Sequence, residues 1–203
     1  MTDPQQFIAC LYGSSLLEVI AVVFAVLYVI FASYEKALCW PAAAISTGIY
    51  IYICYKANLL LETVLQVFYL FMAFYGWYQW LYGKRKEHRL NIISFPVSKI
   101  ALLVMGGIPF ALLAGYLFGT YFNASLPYLD GTVTIYSFLA TWMVARKIIE
   151  NWLFWMVIDV LAIYLYASRG LCLSGILYFL YTLIAIFGYF KWQRLMKQQI
   201  QAA

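Results

Sequence analysis

Charge is scarce in this sequence: only 10% of its 203 residues are Asp, Glu, Lys or Arg, whereas 66% are hydrophobic. That is too little polar side chain to coat a water-soluble globule of this size, so the chain must be solvated by lipid. Histidine occurs once, at His88, and the four cysteines (Cys10, Cys39, Cys54, Cys172) are scattered without a C-x-x-C pair. Neither a metal site nor a cofactor is therefore expected, and the thiols read as free and buried. No Ser, His and Asp set, paired histidines or phosphate loop falls within the apolar runs, which argues against an intramembrane enzyme. Lys191 lies at a helix end rather than mid-span, which argues against a retinal-type photoreceptor. The first six residues carry no Lys or Arg, and the apolar run from Leu16 continues for a full span, so it reads as a permanent helix and not a signal peptide.

What is present is a succession of apolar runs. Hydropathy and turn residues place helices at 14–33, 38–56, 59–82, 98–120, 129–146, 150–167 and 171–192, each near the ~20 residues a membrane span needs. The runs do not alternate, which excludes a β-barrel. The expectation is an all-α protein of seven transmembrane helices.

The net charge of +5 is distributed by topology and does not suggest a nucleic-acid partner. One set of alternate ends holds Lys36, then Lys84, Arg85, Lys86, Arg89 and Lys99, then Arg146 and Lys147, then Lys191, Arg194 and Lys197; the other holds only Lys56 and Arg169. Because cations are retained on the cytoplasmic side, the N-terminus is expected outside and the C-terminus inside.

The chain also repeats itself at an offset of 112 without gaps. Trp40 meets Trp152, Tyr52 meets Tyr164, Leu59 meets Leu171, Tyr69 meets Tyr181, Gly76 meets Gly188 and Trp80 meets Trp192. Three helices end on the side opposite to where they began, so a second copy needs one linking helix to keep the same orientation. The expected plan is three plus one plus three: a first repeat with its basic loop over 1–97, a linking helix over 98–128 and a second repeat over 129–203. Transporters of this design hold substrate between the halves near the midplane.

Helix six carries the residues best suited to a ligand. Trp152, Trp155, Asp159 and Tyr166 fall within about 60° of one another at 100° per residue, with Asn151 beside them. An acid at mid-helix costs about 2.5 to 3.5 kcal/mol on insertion scales, so Asp159 should face a cavity or a partner. Trp152 reads either as part of that face or as an interfacial anchor, and Asp159 either as a ligand contact or as a buried helix-to-helix hydrogen bond. On helix three, Glu62, Gln66, Tyr69, Ala73, Gly76 and Trp80 share a face, with Gln66 and Tyr69 able to donate and accept. The Gly and Ala positions there read as helix packing. Under the repeat, Trp155 maps onto Ala43 and Asp159 onto Thr47, which leaves room for a flat guest in one half; the indoles and the acid both suit a cation. Glu150, following Arg146 and Lys147, reads as a helix-end ion pair.

The strings LQVFYLFMAFYGWYQW (Leu65 to Trp80) and ARKIIENWLFWMVIDV (Ala145 to Val160) resemble the PnuC-type vitamin transporters, and the resemblance runs over essentially the whole chain. It implies facilitated diffusion of an unphosphorylated vitamin across the bacterial cytoplasmic membrane, trapping by a cytoplasmic kinase, and a homotrimer embedded in the lipid bilayer. It also implies substrate contacts at Trp152, Trp155, Asp159, Gln66 and Tyr69, to which Asn151, Thr47 and Tyr166 are added from the faces above. Nicotinamide-riboside members resemble one another in carrying asparagine where this chain has Ser46, Ala73 and Asp159. On that departure thiamine, a flat cationic vitamin, is the favoured substrate; nicotinamide riboside is the alternative, followed by riboflavin or a deoxynucleoside.

Overall fold

The computed structural model describes residues 16–56, 60–83, 90–122, 126–168 and 172–201. Among them are seven helices and no named strand: α1 Leu16–Ser33, α2 Cys39–Lys56, α3 Leu60–Tyr82, α4 Val97–Phe122, α5 Pro127–Ala145, α6 Asn151–Ser168 and α7 Cys172–Gln201. α1, α4 and the segment Ile176–Gln201 of α7 are each long and apolar enough to cross a membrane on length and composition alone. The apolar runs in the sequence match the helices within two residues at nearly every described end. The exception is α7, which runs nine residues past the expected 192, to Gln201. Hydropathy registers where the membrane ends, whereas the polar segment QRLMKQQIQ consists largely of good helix formers and continues the helix beyond it. The start expected at 14 lies outside the described residues.

The chain divides into two compact units, 1–90 and 91–203. In the first, α1 packs on α2 and α2 on α3. The Ser46 hydroxyl donates to the Ala21 carbonyl at 2.8 Å, a buried bond that ties α2 to α1. Trp40 at the head of α2 lies over Gly76 of α3, where a Cβ would come within 2.2 Å of the indole. Its ring meets Trp80 edge-on at 5.6 Å.

In the second unit α4 packs on α5, α5 on α6 and α6 on α7. Small residues set the first of these contacts. Gly107, Ala111 and Gly115 recur every four residues on α4 and are buried, and a Cβ on Gly131 of α5 would fall 2.6 Å from the Ala111 carbonyl. Backbones can approach this closely only where side chains are absent, the usual solution where lipid provides no hydrophobic drive between helices. α6 and α7 meet as α2 and α3 do: Trp152 lies over Gly188, at 2.8 Å from a Cβ there, and meets Trp192 edge-on at 5.5 Å.

The offset of 112 also recurs in the backbone. α1 ends with the Lys36 N–H donating to the Phe31 carbonyl at 2.9 Å and α5 with the Ile148 N–H donating to the Met143 carbonyl at 2.9 Å. The residues before these donors, Glu35 and Lys147, take φ of 57° and 52°. Both ends are Schellman caps, in which a left-handed residue turns the chain and satisfies the orphan carbonyls.

One expectation is corrected here. Glu150 does not serve as a helix-end ion pair with Arg146 or Lys147. Its carboxylate accepts from the Ser94 hydroxyl and from the Phe95 N–H at 3.1 Å. The segment before α4 lies beside the α5–α6 turn, through Ile93 N–H to the Lys147 carbonyl and Ile149 N–H to the Ile93 carbonyl at 3.0 and 2.9 Å. That single parallel bridge aims two donors at Glu150, and charge-assisted bonds to fixed donors hold the carboxylate there.

Candidate substrate-binding site

Burial along α6 follows a helical stripe: Asn151, Trp152, Ile158, Asp159, Ala162 and Leu165 are all within 3% of complete burial. A stripe of apolar residues would pack with no further consequence, but this one contains polar groups. Asn151 donates its amide to the Ile148 carbonyl at 2.7 Å, while its Oδ1 finds no partner among the described residues. Asp159 is 2% exposed, an acid withdrawn from the surface in the middle of an apolar helix. It stands seven residues beyond Trp152, about 10 Å deeper along the axis.

Trp152 is placed differently from a stacking platform. Its ring is taken up by Gly188 and Trp192, and its indole N–H is buried without a partner among the described residues. Trp155, one turn on, is half-buried and retains more of its surface. Tyr166 falls on the last turns of α6, and its side chain lies outside the described residues.

In the first unit, Thr47 occupies the position equivalent to Asp159 and is also buried, at 9% exposure. It solves the problem of burial locally, by donating to the Ala43 carbonyl at 2.8 Å. Gln66 and Tyr69 are half-buried on α3. The sequence missed the Ser46 bond to α1, because nothing in a helical-wheel argument specifies which carbonyl a buried serine reaches. It also missed the bridge at Ile93, for which the only signal is a short β-branched run (Ile92, Ile93) ahead of Pro96.

Apolar helices with small-residue contacts and buried polar groups at depth define a multi-pass, all-helical membrane protein. The profile of the nicotinamide mononucleotide transporter family matches residues 15–194, and the chain belongs to that family. It is similar to the nicotinamide riboside transporter PnuC of Escherichia coli K12, with 24% identity over 89% of this chain and 86% of the relative. It is also similar to the riboflavin/roseoflavin transporter RibM of Streptomyces davaonensis, with 26% identity over 75% of this chain and 73% of the relative. The crystal structure of the vitamin B3 transporter PnuC superposes with a TM-score of 0.76 at 24% identity, covering 95% of this chain and 87% of that one. This likeness carries the fold.

Proposed function

We propose that this protein carries nicotinamide riboside, or a close chemical relative, across the bacterial cytoplasmic membrane by facilitated diffusion. The observation that carries the reading is the Asp159 side chain, 2% exposed in the middle of an apolar helix. A charge-bearing group of this kind is expensive in lipid and marks a substrate path by default.

The preference for thiamine is corrected. It rested on a flat, cationic guest for Asp159 and the indoles, yet nicotinamide riboside is itself an N-glycosylated pyridinium, flat and positively charged. The physical requirement does not separate the two vitamins, and the relatives' names favour nicotinamide riboside. In this reading Asp159 complements the pyridinium charge and Trp155 offers a ring face, while Asn151 Oδ1 stands ready as an acceptor. Trp152 acts through its packing on Gly188 to hold α6 in place. Gln66, Tyr69 and Thr47 of the first unit, with Tyr166, are proposed as further contacts during passage. The matched caps and Trp–Gly–Trp sets at an offset of 112 support descent from a duplicated three-helix unit, joined by α4 as linking helix. A homotrimer and a cytoplasmic kinase that traps the vitamin by phosphorylation complete the proposal.

Reconstituted liposomes offered labelled nicotinamide riboside, thiamine and riboflavin separately provide the test. Saturable uptake of nicotinamide riboside, with at most weak uptake of thiamine, is expected. Saturable thiamine uptake with none of nicotinamide riboside would overturn the reading, and riboflavin alone would move the chain beside the Streptomyces relative.

A further inference from the structure

Between α4 and α5, within the second unit, runs an open groove of about 390 Å³ lined by Leu102, Leu103, Gly106, Phe110, Phe138 and Leu139. Its floor depends on Gly106, where an added Cβ would meet nothing within 4 Å. The neighbouring Gly107 also lines the groove, at the edge where α4 meets α5, and a Cβ there would fall 3.0 Å from the Tyr136 ring. Leu102 and Phe110 stand far out of the fold, at 73% and 63% exposure. In a protein surrounded by lipid, such a wall meets acyl chains.

Each wall runs into a cation at the same end. At 100° per residue Lys99, Leu102, Leu103, Gly106 and Phe110 share a stripe about 100° wide on α4, and Ile135, Phe138, Leu139 and Arg146 share one of similar width on α5. Lys99 is in the first turn of α4 and Arg146 caps the last turn of α5, so both lie at the mouth. Lys99 is exposed, with its ammonium 5.3 Å from the Phe95 ring centroid. From Leu102 to Phe110 the groove extends about 12 Å along α4, most of the ~15 Å of hydrocarbon in one leaflet. The dimensions and charges match one amphiphile: an apolar tail as long as the groove and an anionic head at its basic mouth.

We propose that this groove is a binding site for an anionic phospholipid of the leaflet at the basic end, its phosphate between Lys99 and Arg146 and one acyl chain along Leu102 to Phe110. Basic pockets between membrane helices on the cytoplasmic side recognise anionic headgroups in this way. Such a lipid bridges the start of α4 and the end of α5, and so steadies the α5–α6 turn from which Asp159's helix begins.

The test uses the purified full-length protein in detergent, without substrate, so its outcome is independent of which vitamin is carried. Native mass spectrometry and thermal unfolding compare phosphatidylglycerol with phosphatidylcholine of identical acyl chains. Phosphatidylglycerol should bind at least fivefold more tightly and raise the unfolding temperature further. Lys99→Gln, at an exposed position, should remove most of that preference, and Lys99→Gln with Arg146→Gln should remove all of it. Gly106→Leu fills the groove from a position where a Cβ has open space, and it should weaken retention of both lipids while unfolding stays cooperative. Equal binding of the two lipids by the parent protein would reduce the groove to ordinary lipid contact and overturn the proposal. A drop in oligomeric mass for Gly106→Leu with lipid retention unchanged would overturn it too, since a second copy of the chain would then be the occupant.

Discussion

Asp159 and Thr47 stand 112 residues apart on the buried sides of α6 and α2, and they differ in what burial demands of them. A threonine hydroxyl can return its proton to the carbonyl one turn back, as Thr47 does to Ala43. A carboxylate has only acceptors and cannot use that escape. Its donor or counter-charge must come from outside its own helix, and a cationic substrate is one such source. Substituting Asp159→Asn keeps the shape and removes the charge. It should weaken binding of nicotinamide riboside by about 1.5 to 3 kcal/mol, the usual worth of a charged contact. The uncharged dihydro form of the same riboside should lose far less, because specificity is a difference between affinities. Tryptophan-fluorescence titration of both ligands checks this, and equal losses would return Asp159 to a purely structural role. That the acid is buried was legible in the sequence, since an Asp in an apolar run must turn away from lipid. That Trp152 is consumed by packing was not, because interfacial anchor, stacking face and core residue share one helical-wheel position.

At the scale of elements, the tryptophan–glycine contacts are the most demanding in the fold. The Trp40 and Trp152 rings sit where the Cβ atoms of Gly76 and Gly188 would be, and each ring is held from another side by Trp80 or Trp192. A rigid bicyclic ring so confined cannot yield, and overpacking of this sort costs about 1 to 3 kcal/mol. Gly76→Ala and Gly188→Ala should each lower the unfolding temperature in detergent. Gly106→Ala meets nothing and gains about 0.5 to 1 kcal/mol of helix propensity, so it should hold or raise it. If Gly76→Ala proved as stable as Gly106→Ala, the contact would not matter energetically. The helices themselves were readable because lipid forces every span to be a long apolar run. The caps were not, since Glu35 and Lys147 hold left-handed positions that sequence rules reserve for glycine or asparagine. The groove was equally hidden, because the sequence does not show which residues the contact between α4 and α5 leaves uncovered.

For the whole molecule, the positive-inside rule predicts that the cations mark one side of the membrane. In the second unit Lys99 begins α4, Arg146 ends α5, and Lys191, Arg194 and Lys197 occupy the far half of α7. In the first unit Lys36 lies in the turn between α1 and α2. The opposite ends hold only Lys56 and Arg169. The positive-inside rule then places Tyr55, at the end of α2, outside and Gln201, at the end of α7, inside. Five helices, α3 to α7, separate the two positions, and an odd number of crossings requires opposite sides. A chain in which Cys10, Cys39, Cys54 and Cys172 are replaced by alanine carries the test; Cys39 and Cys54 are buried and outside any disulfide, so small apolar replacements suit them. In intact cells an impermeant maleimide should label Tyr55→Cys, and it should reach Gln201→Cys only after lysis. The reverse pattern would invert the orientation while keeping the count of crossings. Labelling of both from outside would mean that one of the five helices does not span. α6 would be the first suspect, because it places Asn151 and Asp159 in a run of only 18 residues.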